Sequence, residues 1–142
     1  MNEKEKEFIL EQYKIYIETA DKVSERRDRA NRFYISLLSI LIALPTLSNK
    51  IGILNEQFIV YILCIFGIVL CCLWIISIKS YKKLNSGKFK VIQDMENFLP
   101  YPCFNREWEI LKKEESYIQL THIEQLLPVI VIFIFLGLLL YS

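Results

Sequence analysis

Few side chains in this sequence have the type and spacing that covalent chemistry needs. His122 is the only histidine. It stands between Thr121 and Glu124, where an imidazole titrating near neutrality could sense pH. No second ligand or nucleophile lies near it in sequence, so its ordinary reading is structural. Glu107 and Glu109 flank Trp108, as charges on the solvated side of an aromatic anchor do. The four cysteines form no CxxC pair and no His cluster accompanies them. Cys64, Cys71 and Cys72 fall inside an apolar run, where a thiol serves as a small hydrophobe, and Cys103 lies outside it. The sequence contains no Gly-rich phosphate loop, nucleophile elbow or paired-carboxylate motif. These residues predict no enzyme, no metal and no cofactor.

The elements that hold those residues are set by where the apolar residues gather. Of 142 residues, 54% are hydrophobic, and they collect into three blocks, Phe33 to Ser48, Phe58 to Ile78 and Leu126 to Ser142. A bilayer core about 30 Å thick needs roughly 20 apolar residues in a helix. Phe58 to Ile78 meets that without a charge. The last block is extended by Leu120 and Ile123, with Thr121 and Glu124 at capping-box spacing and Pro128 expected near the helix start. The first block is short and interrupted by Pro45, and crosses only if it is extended through Ile51 to Leu54. Charge placement argues that it does. Arg26, Arg27, Arg29 and Arg32 crowd its entrance, and Lys79, Lys82 and Lys83 crowd the exit of the second block. Both clusters favour the cytoplasm, which requires two spans between them.

The expected architecture is therefore all-α. It comprises a cytoplasmic amphipathic helix over 1–32, spans over 33–54, 58–78 and 123–142, and a cytoplasmic helical segment over 79–122. It forms one structural unit in a bacterial inner membrane with the N-terminus inside. The 32 residues before the first block carry as many acids as bases, unlike the basic start of a cleaved signal. The net charge of +1 gives no bulk attraction for nucleic acid.

The stretch from Asn2 to Leu44 has no Gly or Pro, and Ile9, Tyr13, Tyr16, Ala20 and Val23 recur at helical spacing. One helix of about 60 Å is expected, continuous with the first span. Glu18 with Lys22, Glu25 with Arg29 and Asp28 with Arg32 have the spacing of supporting ion pairs. After the second span, the helix is expected to stop at Asn85-Ser86-Gly87, because Gly favours the position just past a helix end. Phe89, Ile92, Met95 and Leu99 then repeat at helical spacing up to Pro100 and Pro102. Phe104, Trp108 and Leu111 make a second short stretch capped by Asn105. Phe89, Ile92, Phe104 and Trp108 are the expected cytoplasmic packing residues.

No Asp, Glu, Lys, Arg or His falls inside the apolar blocks, which argues against an ion-coupled transporter. Ser36, Ser39 and Ala43 on the first span, and Cys64, Gly67 and Cys71 on the second, form small-residue stripes. Such stripes let helices approach closely in lipid. Spacing alone does not separate packing within a subunit from an oligomer seam or a weakly polar pore lining.

Several strings resemble the RipA-like family of small octameric bacterial membrane proteins. They are Glu11-Gln12-Tyr13-Lys14; Ala20-Asp21-Lys22-Val23-Ser24 with Arg26-Arg27 and Ala30-Asn31; and Leu84-Asn85-Ser86-Gly87-Lys88-Phe89. Leu99-Pro100, Glu107-Trp108 and Leu120-Thr121-His122-Ile123-Glu124 extend the likeness. The resemblance implies a closed homo-oligomer of eight subunits without an established activity, some relatives being linked to bacterial proliferation in host cells. It offers no active site to carry over. The reading is thus a homo-oligomeric scaffold or pore-like assembly whose partners are membrane lipid and copies of itself. The competing readings are a membrane-disrupting effector of a bacterial defence system, and an adaptor that binds a cytoplasmic protein through Phe89, Phe98, Phe104 and Trp108.

Overall fold

The computed structural model describes the backbone of residues 2–48, 56–113 and 120–141, and the side chains of 2–44, 57–113 and 120–140. Within these the chain is all-α, with α1 over Glu3–Ser48, α2 over Glu56–Glu96, α3 over Cys103–Lys113 and α4 over Leu120–Tyr141. Helix α1 starts on a reciprocal cap. The backbone N–H of Asn2 donates to Glu5 Oε2 at 2.8 Å, while the N–H groups of Glu5 and Lys6 donate to the Asn2 carbonyl at 3.1 Å. Glu3 and Glu5 add negative charge to the first turn, where it complements the exposed N–H groups. Glu18 pairs with Lys22 at 2.6 Å and Asp28 with Arg32. Glu25 and Arg29 share that spacing without pairing among the described residues.

Helix α2 runs through Asn85-Ser86-Gly87 to Glu96, so the expected stop there is corrected. A glycine inside a helix costs only about 1 kcal/mol, and the packing on both sides of it is worth more. Just beyond Gly87, Lys88 Nζ donates to Thr19 Oγ1 at 3.1 Å and lies 4.9 Å from the Tyr16 ring centroid, and Ile92 is fully buried. The helix ends instead in tightened turns, with Asn97, Phe98 and Leu99 N–H donating to the carbonyls of Asp94, Met95 and Glu96. Pro100 and Pro102, which lack the donor a helix needs, keep it from resuming.

Two further boundaries differ from expectation. Helix α3 begins at Cys103, so Asn105 lies within it rather than capping it. Helix α4 is formed already at Leu120, which places Thr121 inside the helix and Pro128 two turns in rather than in the first turn. There the proline ring is fully buried, and its packing offsets the missing backbone hydrogen bond.

The chain divides into two compact units. One holds residues 1–27 and 80–119, the other 28–79 and 120–142, and α1 and α2 contribute to both. In the second unit, Leu38 and Leu41 of α1, Cys64, Leu70, Cys71, Trp74 and Ile78 of α2, and Phe135 of α4 make the core. Among the described residues, α2 and α4 are long and apolar enough to cross a bilayer. The proposed extension of the first apolar block through Ile51 to Leu54 lies outside the described residues.

Candidate functional site

In the unit built from residues 1–27 and 80–119, the central polar group is Glu96, which is 1% exposed. Its carboxylate accepts three hydrogen bonds. Tyr13 Oη of α1 donates to Oε1 at 3.0 Å, the Phe104 N–H donates to Oε1 at 2.7 Å, and the Asn105 N–H donates to Oε2 at 2.9 Å. The last two donors belong to the first turn of α3, whose N–H groups have no partner within the helix. Glu96 therefore caps α3 from across the Pro100–Pro102 turn, with its charge at the positive end of that helix. Asn105 Nδ2 donates to the Gln93 carbonyl at 3.3 Å and ties the same turn to α2.

Apolar contacts surround this carboxylate. The Phe104 ring meets Tyr13 at 6.4 Å and Phe89 at 5.6 Å, both edge-on. Ile92 of α2 is buried in the same unit, as are Ala20 and Val23 of α1. Burial raises the Tyr13 phenol well above its ordinary value, and the hydrogen bond to the Glu96 carboxylate and its charge push the same way. The phenol thus stays protonated and donating across the ordinary pH range. Three helices are joined at one anion by its neutral or backbone donors.

The sequence-predicted residues of this unit fall into two groups. Tyr13, Tyr16, Ala20, Val23, Phe89, Ile92 and Phe104 come together in the packing just described, and Ile9 is half-buried on the same face of α1. Trp108 stands apart, 38% exposed, with Lys112 Nζ 5.4 Å from its ring centroid. Phe98 is 60% exposed, so of the four aromatics of the adaptor reading Phe98 and Trp108 are exposed and Phe89 and Phe104 half-buried. Glu96 itself carried no sequence signal, because its role depends on a chain reversal that returns the α3 backbone to it. Glu109 pairs with Arg106 at 2.9 Å on the exposed side of α3.

In the second unit the small residues of α2 face inward. Cys64 and Cys71 are buried in the core, and Gly67 seats the ring of Phe135. A Cβ on Gly67 would lie 2.4 Å from Phe135 Cε2, closer than any real contact. Trp74 is anchored twice, by its Nε1 donating to Asn31 Oδ1 at 2.8 Å and by Tyr34 stacked on it at 5.7 Å. On α1, by contrast, Ser36, Ser39 and Ala43 are exposed, and Ser39 Oγ turns back to the Ile35 carbonyl at 2.8 Å. The two stripes thus sit in different surroundings, one inside the subunit and one on its surface.

Most of the apolar surface of this unit has no cover. Only 28% of the most apolar stretch of α2 and 11% of that of α4 is buried. Phe58, Ile76, Leu126, Phe133 and Leu140 are all more than half exposed. Surface of this kind belongs against lipid or against other helices. Among the described residues no three of His, Cys, Asp and Glu gather as metal ligands would.

What the arrangement offers is packing: a carboxylate-centred joint among three helices, and a bundle whose outer faces are apolar. No curated protein and no solved structure matches the chain. The profile of the Octameric membrane protein family (8xMP) matches residues 10–142, a span that takes in the Glu96 joint, Gly67 with its Phe135 contact and both candidate spans. The chain is therefore a member of the octameric membrane protein family.

Proposed function

We propose that this protein works as a closed homo-octameric assembly of a bacterial inner membrane. It has no enzymatic activity and serves as a scaffold or pore-like structure. The observation that carries the reading is the uncovered apolar surface of α2 and α4 in a member of a family named for eight-fold assembly. A surface this apolar is stable only when lipid and neighbouring copies share it. The resemblance of several strings to RipA-like proteins points the same way.

Each subunit crosses three times in this reading, with the N-terminus and the Glu96 joint in the cytoplasm. Support comes from the Arg26–Arg32 and Lys79–Lys83 clusters, which share one side only if the first apolar block crosses. The exposed Ile35, Ile40, Ile42 and Leu44 give the end of α1 an apolar surface suited to lipid. Helix α1 from Phe33 to its end at Ser48 covers about 24 Å at about 1.5 Å per residue, most of a bilayer core about 30 Å thick.

Topology is tested by labelling single cysteines with a membrane-impermeant reagent in intact cells. The reading expects Ser142→Cys to be labelled from outside and Cys103 only after the inner face is opened. Labelling of Ser142→Cys from the inside alone contradicts the three-span topology. Solute flux into liposomes carrying the protein separates the two forms of the function. Flux above protein-free vesicles supports the pore-like form, and its absence from a correctly assembled octamer leaves the scaffold.

A further inference from the structure

In the unit that holds the Glu96 joint, α1 carries exposed charges of both signs, and three of its acids share one face. On α1, Glu18, Asp21 and Glu25 follow one another at spacings of three and four, which puts them on one face at about 100° per residue. That face lies opposite the half-buried Tyr13 and the buried Ala20 and Val23, and all three acids are exposed. Glu18 is engaged only by Lys22, in a solvent-exposed pair of the kind that contributes little. Asp21 and Glu25 make no ion pair among the described residues.

On α2 the sign is reversed. No Asp or Glu occurs from Gln57 to Gln93, a stretch that holds five lysines. Lys88 is turned inward to Thr19 and Tyr16. Lys83 and Lys90 share a different face, with Ser86 between them. All three are exposed, and the two lysines make no ion pair among the described residues. Open space adjoins this stripe, since a Cβ on Gly87 would meet nothing within 4 Å. The acidic face of α1 points away from α2 and the lysine face of α2 points away from α1. The outer side of α1 thus carries Glu18, Asp21 and Glu25 with Lys14 and Lys22 beside them, and that of α2 carries Lys83 and Lys90 with Asp94 one turn beyond.

The heights also match. The contacts of Tyr13 with Glu96 and of Thr19 with Lys88 fix α1 and α2 as antiparallel neighbours. That register sets Lys90 level with Glu18 and Lys83 level with Glu25. In a closed ring about the membrane normal, rotation from one subunit to the next keeps every residue at its own height. A head-to-tail ring joins two different faces of the same chain, and these two are complementary in sign and in level.

We propose that the Glu18–Asp21–Glu25 face of α1 docks on the Lys83–Lys90 face of α2 in the next copy of this chain, forming the cytoplasmic part of the ring contact. The docking rests on the homo-octameric reading above and specifies how its neighbours recognise each other. Charge pairs of this kind fix partner and register and are screened by salt. They select the head-to-tail contact over a two-fold one, in which like faces would meet.

The test uses full-length protein in mild detergent, with mass measured by native mass spectrometry and helicity by circular dichroism. Reversing α1 alone (Glu18→Lys, Asp21→Lys, Glu25→Lys) or α2 alone (Lys83→Glu, Lys90→Glu) is expected to abolish the octamer at unchanged helicity. Both sets in one chain are expected to restore it. Co-expression of the two single-face variants, differently tagged, is expected to give octamers that contain both tags. An octamer unchanged by either reversal, or lost without rescue, overturns the docking while leaving the octameric reading intact. A monomeric wild type instead overturns that reading itself. Should a reversed chain fail to fold, cross-linking of an Asp21→Cys, Ser86→Cys protein in a Cys72→Ser, Cys103→Ser background decides. A cross-linked ladder reaching eight subunits is expected, and a ladder ending at dimer, or none, overturns the docking.

Discussion

Glu96 shows how one buried charge is made tolerable. Taking a carboxylate out of water costs several kcal/mol unless its lone pairs are filled, and here two backbone N–H groups and one phenol fill them. Replacing it by Gln, which keeps the size and loses the charge, turns an amide NH2 towards donors. We expect Glu96→Gln to destabilise the protein by about 2–4 kcal/mol, read as a lowered thermal midpoint in detergent. An unchanged midpoint would remove Glu96 from its place at the joint. Tyr13→Phe deletes one of three bonds and is expected to cost about 1 kcal/mol.

The same contact makes a pH prediction. The Tyr13 phenol is raised in the folded state, so its contribution is fully present below the ordinary tyrosine value of about 10. It is lost as pH climbs above that value, where the unfolded chain releases the proton and the folded one holds it. Wild-type stability is expected to fall more steeply above about pH 10 than that of Tyr13→Phe. Parallel curves would contradict the buried donor.

At the scale of elements, the glycines of α2 illustrate opposite constraints. Gly67 admits the Phe135 ring, so Gly67→Ala is expected to cost about 1–3 kcal/mol through overpacking. Trimming the ring with Phe135→Leu should recover part of that in a double-mutant cycle. Gly87 has open space around its Cβ position, so Gly87→Ala is expected to raise stability by about 0.5–1 kcal/mol. A loss there would mean that the helix is not continuous at Gly87.

These two residues also mark what sequence reading could and could not see. The long α1 was legible because nothing between Asn2 and Leu44 breaks a helix and its apolar stripe has a clear period. The packing of Tyr13, Phe89 and Phe104 followed from the same periodicity. Gly87 misled, because a helix-stop preference of about 1 kcal/mol is overridden by long-range contacts of Lys88 and Ile92. Asn105 misled for a related reason: the cap of α3 comes from Glu96, whose approach depends on the Pro100–Pro102 turn rather than on local spacing. Both errors are tertiary effects on local signals.

For the whole molecule, the balance between buried and exposed apolar surface is decisive. Among the described residues, a core of eight buried side chains holds α1, α2 and α4 together in the second unit. In the same unit, large apolar residues on α1, α2 and α4 remain exposed. Trp74, Gly67 and the cysteines account for cohesion within a subunit, while Ser36, Ser39 and Ala43 lie on its surface. The two stripes therefore differ in placement, that of α1 on the surface and that of α2 facing inward. Eight copies around one axis would let apolar faces be divided between lipid and adjacent subunits, with the charged faces of α1 and α2 setting the order.

The most direct test is the mass of the full-length protein extracted from membranes in mild detergent, followed across a dilution series. The account predicts one species of eight subunits that persists on dilution. A monomer at every concentration, or recovery of the chain in the soluble fraction without detergent, would contradict it.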